Sequence, residues 1–85
     1  MQEKPKHIDG LDIEQTEDGY IIYEADKDRV HYLNPTAALI LELCNGSNSI
    51  DAISELVQEA FHLPEAPEQV VRETITQMTG EGLLL

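Results

Sequence analysis

Few side chains in this sequence are of types that do chemistry, and their spacing keeps them apart. The three histidines, His7, His31 and His62, share no metal-ligand spacing with one another or with the single cysteine, Cys44. Asp26-Lys27-Asp28 places two carboxylates in one polar segment, but the glycine and the distal glutamate of a calcium loop are missing. That segment reads as a solvated hairpin tip. Gly80-Glu81-Gly82 is too short and too acidic to cradle a phosphate, and its place after an amphipathic run makes it a helix stop. Cys44 ends the apolar stretch Leu39-Ile40-Leu41-Glu42-Leu43-Cys44, so it reads as a small buried hydrophobe; alone, it has no partner for an internal disulfide. Catalysis needs a nucleophile, an acid–base pair or a ligated metal gathered in a site that excludes water. The sequence predicts no catalytic residue, no metal site and no cofactor, and hence no enzyme.

The elements that could position any site must come from one small domain, since 85 residues leave room for one modest core. An apolar fraction of 41% against 26% charged residues is that of a globular protein. No run approaches the roughly 18 apolar residues of a membrane span. Met1-Gln2-Glu3-Lys4-Pro5-Lys6 has no apolar run behind its lysines, so a secretory signal is not expected and a cytoplasmic location is the default. Seventeen acids against 5 bases give a net charge of -12. Such a field repels nucleic-acid phosphates and anionic lipid and draws in cationic partners, so neither nucleic acid nor membrane is expected as a partner. The acidity also serves solubility, whatever the partner.

Residues 1–10 are polar, contain Pro5 and have no hydrophobic period, which predicts a flexible lead-in with folded structure from Leu11. In Leu11-Asp12-Ile13-Glu14-Gln15-Thr16 apolar and acidic residues alternate, the period of a strand with one face on a core. Asp18-Gly19 offers the positive-φ residues of a tight hairpin turn. Tyr20-Ile21-Ile22-Tyr23-Glu24-Ala25 is apolar at nearly every position and predicts a central strand covered on both faces. After Asp26-Lys27-Asp28, Arg29-Val30-His31-Tyr32-Leu33 completes an antiparallel meander. At Asn34-Pro35 the period changes, because Asn is a preferred N-cap and Pro at the first helical position loses no needed hydrogen bond. The first helix should run to about Cys44 and end at Gly46. Ser49 caps a second, whose stripe of Ile50, Ile53, Leu56, Val57, Ala60 and Phe61 should bury one face before His62-Leu63-Pro64. A third should start around Ala66-Pro67-Glu68, with Val71, Ile75 and Met78 on its core face and Val70, Thr74 and Gln77 toward another side.

The string Val30-His31-Tyr32-Leu33-Asn34-Pro35-Thr36-Ala37-Ala38-Leu39-Ile40-Leu41-Glu42-Leu43-Cys44-Asn45-Gly46 resembles the strand-to-helix signature of the PqqD-like family. The features fall in order: an aromatic or apolar pair before Leu33-Asn34, Thr36-Ala37-Ala38 opening the helix, Glu42-Leu43 two turns on, and Gly46 as terminator. Ser49-Ile50-Asp51-Ala52-Ile53 and Gly82-Leu83-Leu84 are similar to the family's second-helix start and C-terminal close, so the resemblance covers about residues 11–85. It implies an α+β, winged-helix-like fold, a three-stranded antiparallel β-meander followed by three α-helices, often called a RiPP recognition element. It also implies a non-catalytic peptide chaperone of pyrroloquinoline quinone biosynthesis and related pathways. Such proteins bind the leader of a ribosomally made precursor peptide and hand it to a maturase, commonly a radical S-adenosylmethionine enzyme.

Elementary strand physics agrees with that implication. The third strand of a meander keeps one unpaired edge, which an extended peptide can complete by backbone hydrogen bonding while apolar pockets read alternate side chains. The third helix would form the other wall. The candidate contacts are therefore Arg29, Val30, His31, Tyr32 and Leu33 on the strand, with Val70, Val71, Thr74, Gln77 and Met78 on the helix. Only alternate strand residues can face the peptide's side chains, and the sequence leaves open which set does. Two rival readings have specific weaknesses. A winged-helix DNA-binding regulator needs a basic recognition helix, but the third helix sets Arg72 against Glu68 and Glu73. An acyl or peptidyl carrier protein is all helical and carries its cofactor on a serine in an Asp-Ser-Leu setting, which Gly46-Ser47-Asn48-Ser49-Ile50 lacks.

Overall fold

The structure, a computed structural model, describes residues 4–85. Strands β1 (Leu11–Gln15), β2 (Tyr20–Glu24) and β3 (Arg29–Leu33) form one antiparallel sheet in the order β1-β2-β3, followed by helices α1 (Pro35–Leu43), α2 (Ile50–Phe61) and α3 (Glu68–Gly80). This is the expected α+β meander-then-helices fold, and its sheet removes the all-helical carrier-protein reading. Residues paired directly across strands share a face, so the register sorts the sheet into two sides. Ile13, Ile22 and His31 stand together on the inner face, as do Leu11, Glu24 and Arg29. Asp12, Tyr23 and Val30 share the outer face with Glu14, Ile21 and Tyr32.

The burial of β2 corrects one expectation. Ile22 and Glu24 are buried, whereas Tyr23 is exposed on the outer face. The strand is central in the sheet but covered by helices on one side only. Its continuous apolar run thus records an uncovered apolar outer surface, with Val30 and Tyr32 beside it, and no second buried face.

The helices begin and end where local chemistry requires. Asn34 Oδ1 accepts from the Ala37 N–H at 2.8 Å and Ser49 Oγ from the Ala52 N–H at 3.1 Å, each cap contributing about 1 kcal/mol. α2 stops at His62, which takes the left-handed conformation with φ 54°. α3 stops at Gly82, φ 83°, where the Gly82 and Leu83 N–H groups donate to the Thr79 and Met78 carbonyls. The core lies between the inner sheet face and the helices. Ile22 belongs to one buried cluster with Ile40, Leu41 and Cys44 of the α1 segment, Ile53 and Val57 of α2, Val71, Ile75 and Met78 of α3, and Leu83 and Leu84. Fully burying each of the larger side chains contributes roughly 1.5–3 kcal/mol.

Three further expectations are revised. Leu56, Ala60 and Phe61 of α2 are exposed, because only the Ile53, Ser54 and Val57 side of that helix meets the core. Neither Asp18 nor Gly19 has positive φ; the turn closes through Thr16, whose N–H donates to the Gly19 carbonyl and whose Oγ1 accepts from the Gly19 N–H. Finally, backbone pairing begins upstream of Leu11. The Gly46 N–H donates to Pro5 O, the His7 N–H to Cys44 O, the Ile8 N–H to Leu83 O and the Leu85 N–H to Lys6 O. The polar segment satisfies its backbone on distant partners, which no local period reveals. The first three residues of the expected lead-in lie outside the described residues.

Candidate functional site

β3 is an edge strand: β2 flanks it on one side, and among the described residues no hydrogen bond outside that ladder reaches its main chain. Its outer edge keeps unsatisfied N–H and C=O groups, a template for another strand. α3 stands beside this edge with its C-terminal end at the N-terminal half of β3. Arg29 Nη2 donates to the Glu81 carbonyl at 3.1 Å, and His31 Nδ1 lies 3.8 Å from Glu81 Oε1.

Between the two elements lies a groove of about 340 Å³, lined by Tyr32, Leu33, Asn34, Thr36, Ala37, Val70, Thr74, Gln77, Met78 and Glu81. Six residues expected from the sequence are thus brought together there: Tyr32, Leu33, Val70, Thr74, Gln77 and Met78. Tyr32 is 78% exposed and forms a rim, while Met78 is buried and forms floor. Tyr32 from the outer face and Leu33 from the inner one both reach the groove, because it sits where β3 turns into α1.

The other four lie elsewhere. Val71 has no accessible surface; it points into the core one helical step from Val70 and cannot touch a ligand. Val30 lies on the outer sheet face opposite Tyr23. Arg29 and His31 are on the inner face, engaged by Glu24 and Glu81. The sequence reading missed Asn34, Thr36, Ala37 and Glu81. In the sequence Asn34 and Thr36 signal only a helix start, yet a helix that follows an edge strand directly must set its first turn beside that edge.

The Glu24 carboxylate is 2% exposed, with His31 Nε2 at 2.6 Å, Arg29 Nε at 3.6 Å and Lys27 Nζ at 3.8 Å. The His31 hydrogen bond foremost, with the Arg29 and Lys27 charges adding to it, holds Glu24 below the usual carboxylate range although burial pushes the other way. An ionised carboxylate carries no proton to donate, so the hydrogen belongs on Nε2 of His31. The cluster fixes Arg29 and His31 and ties the start of β3 to the end of α3. Burial pushes the Cys44 thiol up to about 11, which suits a core residue and not a nucleophile. Among the described residues no group of three His, Cys, Asp or Glu could hold a metal ion, and no helix is long and apolar enough to cross a membrane.

The sequence profile of the family described as Coenzyme PQQ synthesis protein D (PqqD) matches residues 19–84. The chain belongs to the PqqD family. The PqqD match runs from the β1–β2 turn to the C-terminal close, so both walls of the groove lie inside it. A solved structure, a lasso peptide synthetase B1 complexed with the leader peptide, is similar with a TM-score of 0.76 at 19% identity. The likeness covers 96% of this chain and 98% of that one and establishes a shared fold for this PqqD-family chain. No curated protein matches the chain.

Proposed function

We propose that this chain is a non-catalytic peptide chaperone, a RiPP recognition element that takes the leader of a ribosomally made precursor peptide as an added strand on β3. The observation that carries the reading is the unpaired β3 edge standing beside a groove with an apolar floor and polar walls. Backbone pairing along the edge supplies register-independent affinity, each hydrogen bond contributing about 0.5–1.5 kcal/mol net. Leu33, Ala37, Val70 and Met78 supply apolar contacts for alternate side chains, and Asn34, Thr36, Thr74 and Gln77 supply hydrogen-bonding groups. Family membership supports this reading, and so does the fold shared with a synthetase solved around a leader peptide. The loaded leader passes to a modifying enzyme, of which a radical S-adenosylmethionine maturase is the class the family resemblance suggests. A DNA-reading role gains no support, since the single base of α3, Arg72, faces Asp51 at 3.9 Å.

The test is an NMR titration of the labelled chain with the leader of a precursor encoded beside its gene. Amides of Arg29 to Ala37 and Val70 to Glu81 should move. Shifts confined to Gly46 through Leu63 would overturn the groove assignment.

A further inference from the structure

Glu81 is the one acidic or basic side chain among the residues lining the groove. It caps the C-terminal end of α3, where no basic residue occupies the last turn to complement the negative end of the helix dipole. Among the described residues no lysine or arginine nitrogen lies within salt-bridge distance of its carboxylate; its partner there is His31 Nδ1 at 3.8 Å. Arg29 does not neutralise it directly, because that guanidinium donates to the Glu81 main-chain carbonyl and lies 3.6 Å from Glu24. The side chain is 38% exposed at one end of the groove, so an incoming cation can reach it without losing all its water.

Resting on the peptide-capture reading, we infer that Glu81 sets the charge pattern of the ligand: an extended peptide with apolar residues over the Val70 and Met78 stretch and a lysine or arginine at the position that meets Glu81. The cation position lies at one end of the apolar stretch, since Val70 precedes the C-cap residue Glu81 by about three turns of α3 and Met78 precedes it by less than one. A net charge of -12 speeds the approach of any cationic peptide and fixes no register. Glu81 supplies the register, because a misplaced cation would lie over an apolar floor. An exposed or half-exposed pair of this kind is worth about two- to fivefold in affinity.

The experiment pans a displayed library of random extended peptides, about a dozen residues long, against the whole chain and against Glu81→Gln and Glu81→Lys. Peptides enriched on the unaltered chain should carry Lys or Arg at one fixed distance from their apolar residues. By fluorescence anisotropy they should bind Glu81→Gln two- to fivefold more weakly, while moving the cation to another position should cost as much on the unaltered chain. Glu81→Lys should select Asp or Glu at the same position. Enriched peptides with no fixed cation, or equal binding to Glu81→Gln, would overturn the inference and leave peptide capture standing. If no peptide is enriched on any of the three proteins, peptide capture by the groove falls with it.

Discussion

Gly19 packs its bare Cα against the carbonyl oxygen of Leu33, so closely that a Cβ there would overlap that oxygen and crowd the Cα of Asn34. The β1–β2 turn thereby braces the point where β3 ends and α1 begins, which is also one end of the groove. Because both neighbours are backbone, neither can swing aside. Gly19→Ala is expected to destabilise the fold by about 1–3 kcal/mol, the usual cost of overpacking. Chemical denaturation with an unchanged midpoint would mean that the turn can move away at no cost.

Acid should act through Glu24. Its carboxyl is held below the usual range in the folded state, so its contribution to stability is present at neutral pH and is lost as pH falls through the folded value. The difference between two proteins is the measurement. Glu24→Gln should show a flatter decline in denaturation midpoint between about pH 5 and pH 3 than the unaltered chain. Parallel profiles would assign the acid sensitivity to other carboxylates.

The Cys44 thiol, pushed up to about 11 and without accessible surface, should resist thiol reagents at pH 8 in the native protein. Labelling should appear only at the rate of unfolding and rise with denaturant. Rapid labelling in buffer alone would show that the packing between α1 and the sheet opens locally.

His62 holds a left-handed conformation at the end of α2, with its N–H donating to the Glu59 carbonyl while the Leu63 N–H donates to Gln58 O. A side chain in that region costs roughly 1–2 kcal/mol. His62→Gly should relieve most of this, offset in part by glycine's greater freedom when unfolded, for a net gain of about 0.5–1 kcal/mol. A loss of stability would point to a contact of the imidazole that outweighs the backbone strain.

Much of the fold was legible because the signals were local. Asn34-Pro35 marks the switch from strand to helix, Ser49 caps α2 and Gly82 terminates α3, each through bonds to residues within a few positions. The groove was half legible. A period of 3.6 separates Val70 from Val71 only to within one helical step, and the sequence does not reveal that α3 lies against β3 at the angle that turns Val70 to the groove and Val71 inward. Phe61 and Leu56 continue an apolar stripe that runs past the edge of the core, so their exposure depends on where α1 and the sheet end. Pro5 to Ile8 carry no period at all, and their backbone partners lie at Cys44, Gly46, Leu83 and Leu85.

The pairing of Lys6 to Ile8 with Leu83 to Leu85 joins residues separated by nearly the full sequence, whereas the two hairpins join neighbours. Contacts of such separation close a large loop, an entropic cost the local hairpins and helices do not carry, so this closure is expected to follow them. The Leu83 and Leu84 side chains complete the core only at that step. On that order the sheet and helices can form before the Leu83 to Leu85 stretch docks, and until it does the β3 edge and groove lie open on an unfinished core. Capture of a peptide before that moment would be capture by a partly folded domain.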